Sequence, residues 1–151
     1  MPRISRKASI MLSLVLAVLF MVALFAAAFI FPVYVDTLYI RARMIMRLSR
    51  NFLLVLGYLA LAASAVADGL LIALLRRVKK SLVFTDESVA IIRRVSWCCF
   101  FVGLLLCLLG FYYVLCWVLC FAAVLLGLCL RVVKNVIEEA TEIKNENDLN
   151  V

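Results

Sequence analysis

Residues 10–31 read IMLSLVLAVLFMVALFAAAFIF, twenty-two residues without a charge. As an α-helix this run is about 33 Å long, enough to cross the roughly 30 Å hydrocarbon core of a bilayer. A cleaved secretory signal is the competing reading, since Arg3, Arg6 and Lys7 precede the run and Ala26, Ala27 and Ala28 supply small residues. The run nevertheless continues through Phe29, Ile30 and Phe31, and it is longer than a usual signal core. Its spacing predicts a membrane helix that Pro32 ends, because proline lacks the N–H that a helix interior needs.

The rest of the chain extends this reading. Of the 151 residues, 68% are hydrophobic, and the mean hydropathy is +1.18. A soluble domain holds roughly half apolar residues, so this composition excludes one. A second apolar run, 52–75, carries only Asp68 and is closed by Arg76, Arg77, Lys79 and Lys80. The stretch 95–130 is too long for one crossing but suits two short ones, with a turn at Gly110, Phe111, Tyr112 and Tyr113. Glycine frees the backbone there, and Tyr112, Tyr113 and Trp117 are side chains suited to the headgroup level. The expected fold is therefore an all-α integral membrane protein of one domain, 1–151. Its helices fall at about 10–31, 52–75, 93–111 and 114–131, with a helical extension over 132–144.

Orientation follows from counting bases. With the N-terminus inside, 12 of the 16 lysines and arginines face the cytoplasm, leaving Arg41, Arg43, Arg47 and Arg50 outside. The expectation is a multi-pass plasma-membrane protein with both termini cytoplasmic. Between the first two crossings, a helical wheel over 32–51 sets Asp36, Arg43, Arg47 and Arg50 opposite Leu38, Met44, Ile45 and Leu48. This predicts an extracellular amphipathic segment lying on the outer leaflet, with Arg43, Arg47 and Arg50 on phospholipid headgroups. A helical extension of the second crossing is the alternative.

On the inner side, Thr85-Asp86-Glu87-Ser88 predicts a helix start. Threonine caps the free N–H groups, two acids complement the helix dipole, and Phe84 and Val89 take the staple positions. Beyond Leu130, Val133, Val136, Ile137, Ala140 and Ile143 recur at helical spacing, with Glu138, Glu139 and Glu142 on the other face. The tail from 132 carries two lysines against five acids, a net of −3, whereas the loop 76–94 has six bases against two acids, a net of +4. Such opposite charges favour docking of the tail on the loop or recruitment of a basic partner by Glu138, Glu139, Glu142, Ile137 and Ile143.

Reaction chemistry finds little support. There is no histidine, which removes the commonest general base and metal ligand. The six cysteines, Cys98, Cys99, Cys107, Cys116, Cys120 and Cys129, lie in apolar runs without a CxxC; only Cys116 and Cys120 have ligand spacing, and nothing nearby completes a site. They read as packing residues. No catalytic residue, metal site or cofactor is expected, and the protein reads as a non-enzyme. Direct nucleic-acid binding is not expected either, because the bases cluster at the ends of apolar runs. Asp68 is the one acid well inside a crossing; with Ser64 and Ala60 one and two turns before it, it marks a candidate intramembrane polar site, either an interhelical hydrogen-bond group or a proton-linked one.

Two stretches carry a family resemblance: Val83-Phe84-Thr85-x-Glu87-x-Val89 leading to Arg93-Arg94-x-Ser96-Trp97, and the ending from Arg131-Val132-Val133-Lys134-Asn135-Val136-Ile137-Glu138-Glu139-Ala140 to Asn147-Asp148-Leu149. They resemble the small bacterial membrane proteins grouped as domain of unknown function 2975. The resemblance implies four crossings and no known activity. Members often stand beside a small Xre-type helix-turn-helix regulator, which implies a membrane-bound regulatory partner of a DNA-binding protein. The alternatives are a transporter or channel accessory subunit, for which Asp68 is the motivating residue, and self-protection against a membrane-active peptide. Homo-oligomers are compatible with all three readings.

Overall fold

A computed structural model describes residues 5–42 and 50–149, apart from the side chains of 38, 39, 41 and 42. Four helices account for nearly all of it: α1 (Arg6–Ala42), α2 (Arg50–Lys79), α3 (Asp86–Gly110) and α4 (Val114–Leu149). All four are long and apolar enough to cross a membrane, where a helix satisfies every backbone polar group internally. α1 packs on α2, α2 on α3 and α3 on α4, and among the described residues no other pair of helices packs together. The molecule is thus a row of antiparallel helices. The α2–α3 loop and the α4 tail stand at one end, called here the loop end, and the α3–α4 turn stands at the opposite, turn end.

Pro32 does not end the first helix as the sequence predicts: α1 runs on through it to Ala42. Lacking an N–H, Pro32 leaves the carbonyl of Ala28, four residues earlier, without its helical donor. The Tyr58 hydroxyl of α2 donates to that carbonyl at 3.1 Å. Phe31 packs edge-on against Tyr58, with ring centroids 5.4 Å apart, and its ring occupies the space where a Cβ on Gly57 would sit. A neighbouring helix thus satisfies the group that proline orphans, which is how membrane helices tolerate proline.

Residues 32–42 are accordingly the last turns of α1 rather than the start of a separate amphipathic segment, and Arg50 begins α2. Arg43 and Arg47 lie outside the described residues. Arg50, expected on lipid headgroups, instead grips Asp36: its Nε meets Oδ1, and Nη2 donates to Oδ2 at 3.2 Å. That pair ties the end of α1 to the start of α2.

The other boundaries shift outward for identifiable reasons. α2 extends to Lys79 and closes with Ser81 in the left-handed region (φ 61°), Leu82 N–H donating to the Arg77 carbonyl at 2.9 Å and Ser81 N–H to that of Val78 at 3.0 Å. This six-to-one and five-to-two pattern satisfies carbonyls that the helix end leaves free. α3 starts at Asp86, seven residues before the span counted from hydropathy, because the expected Thr85 cap is in place: Ser88 N–H donates to its Oγ1 at 3.3 Å. The turn comprises Phe111, Tyr112 and Tyr113, and the extension beyond 131 is one continuous α4 reaching Leu149.

Candidate functional site

The loop end holds most of the buried polar groups. Arg77, near the end of α2, reaches across the connection to donate from Nε to Ser88 Oγ and from Nη2 to Thr85 Oγ1, each at 3.2 Å, while Nη1 lies 2.5 Å from Glu87 Oε2. Ser88 is fully buried and donates to the Leu82 carbonyl at 2.6 Å. One guanidinium therefore joins the helix end, the loop and the next helix's cap. The sequence offers no sign of this role, since Arg77 reads as one of six loop bases and its partners lie 8 to 11 residues away across a turn.

α4 lies alongside α3 here. Arg131 stands over the Trp97 ring at 5.0 Å, a cation–π contact. Farther along, Glu138 takes an ion pair from Lys134 at 2.8 Å and another from Arg93 of α3 at 3.7 Å. Lys134 and Thr141 are buried, and Ile137 and Glu138 are half-buried. The face turned toward α3 is thus the one bearing Lys134, Glu138 and Thr141.

This rearranges the grouping expected for the tail. Val132, Val133, Val136 and Ile143 are exposed, and Glu139 and Glu142 are exposed with them. On a helical wheel Val132, Val136, Glu139 and Ile143 share one outward face. Of the five residues assigned to partner docking, Glu139, Glu142 and Ile143 are free for contact, whereas Glu138 and Ile137 are engaged inward. A carboxylate on the packing face satisfies the two cations that accompany it, a match that apolar periodicity does not reveal.

Asp68 is 5% exposed, and its Oδ2 has no hydrogen-bond partner among the described residues. Neither Ser64 nor Ser96 is hydrogen-bonded to it. Ser64 donates to the Ala60 carbonyl of its own helix at 2.8 Å, and Ser96, fully buried on α3, donates to the Gly127 carbonyl of α4 at 3.1 Å. Ser64 and Asp68 therefore do not form a hydrogen-bonded site. The α1–α2 seam also leaves an open apolar groove of about 200 Å³, bordered by Leu24, Phe25, Tyr58, Leu61, Ala62 and Ala65. Its one polar tip, the Tyr58 hydroxyl, is spent on Ala28.

The α3–α4 seam is closely packed at its glycines. A Cβ on Gly103 would lie 3.1 Å from Val124 and 3.8 Å from the Cys120 carbonyl, and one on Gly110 would lie 2.9 Å from Trp117. Cys107 lies between these glycines on the same face of α3, the face turned toward α4. No group of three or more metal-ligating side chains occurs among the described residues.

The family described as a protein of unknown function, DUF2975, matches residues 26–151, most of the chain. No curated protein and no solved structure matches it.

Proposed function

The chain belongs to the DUF2975 family, and from that premise we propose that it acts by interaction: a membrane-bound partner that holds a small, basic DNA-binding regulator at the cytoplasmic face. The observation that carries this reading is the outward face of the α4 tail, where Glu139 and Glu142 stand beside Val136 and Ile143 with no helix among the described residues covering them. The acids steer a basic partner, and the apolar side chains give it a seam to bury. A regulator must be basic where it meets DNA, so an acidic tethered helix competes with phosphate for that surface. The Xre-type regulator implied by the family resemblance has this chemistry.

The reading includes the topology, with both termini and the 76–94 loop inside, supported by the 12 to 4 distribution of bases. A reporter active only in the cytoplasm should work when fused after Val151 or within 79–81, and should fail near Asp36.

Co-purification in mild detergent tests the function. The tagged chain should retain a DNA-binding protein that dissociates steeply with salt. Glu139→Lys with Glu142→Lys should release it, while Ile143→Ser should weaken binding with less salt dependence. Glu138 is left untouched, because its reversal would also break the contact with α3. A partner that survives removal of 142–149 together with Glu139→Lys would exclude the tail as its docking site.

A further inference from the structure

Arg94 and Trp97 of α3 and Arg131 of α4 form a cluster apart from the docking face of the α4 tail. Arg131 lies over the Trp97 ring, 5.0 Å from its centroid, yet Trp97 remains 61% exposed. Arg94 precedes Trp97 by three residues, the spacing at which side chains are neighbours on a helix surface. Two guanidinium groups therefore flank one exposed indole. Phe100, three residues further on, anchors that indole edge-on with ring centroids 6.4 Å apart, and its own ring fills the space beside Gly127 of α4. Ser96 fixes the register of the two helices by donating to the Gly127 carbonyl at 3.1 Å.

The chain does not neutralise this pair of arginines. Arg77 pairs with Glu87 and Arg93 with Glu138, whereas Arg94 and Arg131 have no ion pair among the described residues. A cation over an aromatic face keeps its charge and its N–H donors, which a carboxylate would have engaged. Arg94 is exposed and Arg131 half-buried, so a ligand can reach both.

Depth selects the ligand. The charge-free stretches of α3 and α4 are 95–110 and 114–130, 16 and 17 residues. At 1.5 Å per residue they span about 24 and 26 Å, short of the roughly 30 Å hydrocarbon core. Arg94 and Arg131 bound these stretches at the loop end, so they stand where acyl chains give way to phosphates, and the shortfall draws headgroups toward them. Tryptophan favours the same level. A phosphodiester presents the paired oxygens that guanidinium groups bind. A zwitterionic headgroup adds an ammonium that needs an acid, and Glu138, the first acid of α4, already pairs with Lys134 and Arg93.

We propose that Arg94, Trp97 and Arg131 form a binding site for an anionic glycerophospholipid, with its phosphate held between the two guanidinium groups and its glycerol against the indole.

The test uses the full chain in bilayers of phosphatidylcholine containing a minor fraction of phosphatidylglycerol. Trp117→Phe leaves Trp97 as the sole tryptophan, and brominated acyl chains on one lipid or the other report by quenching which of them lies beside it. Brominated phosphatidylglycerol should quench Trp97 in excess of its share of the bilayer. Arg94→Gln or Arg131→Gln should each lower that preference about fivefold, the contribution of one arginine near an anionic surface, and the double variant should remove it while quenching by phosphatidylcholine persists. The chain carrying both tryptophans should show the same loss on double substitution, so the test does not depend on how Trp117→Phe folds. Equal quenching by the two lipids, or a preference unchanged in the double variant, would overturn the proposal. So would a preference abolished by millimolar inorganic phosphate, which marks a small-anion site, or one seen only after removal of 139–149, which marks the acidic tail of a second copy as the occupant.

Discussion

Asp68 separates what a residue costs from what it does. A buried oxygen without a hydrogen-bond partner costs about 1–3 kcal/mol, and an apolar side chain of similar shape removes that penalty. Since Oδ2 has no partner to lose among the described residues, Asp68→Leu should leave thermal stability in detergent unchanged or raise it by about 1 kcal/mol. A sharp fall in stability for Asp68→Leu but not for Asp68→Asn would mean that Asp68 does have a polar partner. Tyr58 offers a second test at this scale. Its bond to the Ala28 carbonyl is needed because Pro32 cannot supply one, so Tyr58→Phe should cost about 0.6–1 kcal/mol, as interhelical hydrogen bonds in membranes do. In a Pro32→Ala background the restored helical N–H satisfies Ala28, and the cost should shrink toward zero. Equal costs in both backgrounds would show that the bond has no connection with the proline.

Among the elements, the start of α3 is where local sequence and local structure agree best. Thr85 caps the helix and also accepts from Arg77, so Thr85→Ala removes two interactions at once and should destabilise the chain by about 1–2 kcal/mol, at the upper end for a lost cap. Thermal unfolding followed by circular dichroism measures it, and a neutral substitution would place the helix start elsewhere. This cap was legible because capping involves residues three apart in sequence. The length of α1 was not, because the donor that makes Pro32 tolerable comes from Tyr58, on another helix. The tail's packing face was not legible for a related reason. Periodicity ranks faces by hydropathy, yet Glu138 pairs with both Lys134 and Arg93, so a polar face packs and an apolar one is left exposed.

For the whole molecule, the defining property is the row. Consecutive helices pack while α1 and α4 do not, among the described residues; at the turn end the hydroxyls of Tyr34 and Tyr113 share a hydrogen bond of 3.2 Å, linking α1 to the α3–α4 turn without helix-on-helix packing. Cysteines placed at Met21 and Gly69, where a Cβ on Gly69 would lie 3.9 Å from the methionine methyl, should cross-link within one chain when the native cysteines are replaced. A pair at Leu19 on α1 and Phe121 on α4 should not. Efficient intrachain cross-linking of that second pair would indicate a closed bundle.

The sequence by itself determined that the chain forms four helices long and apolar enough to cross a membrane, where the α3–α4 turn lies and where α3 begins. Hydropathy, capping and turn chemistry are local properties, carried by residues that stay neighbours whatever the rest of the chain does. Only the tertiary structure decided that α1 passes through Pro32, that Arg50 holds Asp36, and that Glu138 faces inward while Glu139 faces outward. Each of these depends on a partner supplied by another helix or from across a connection, and the register between packed helices is set by where glycines let backbones approach and where single polar groups find one another.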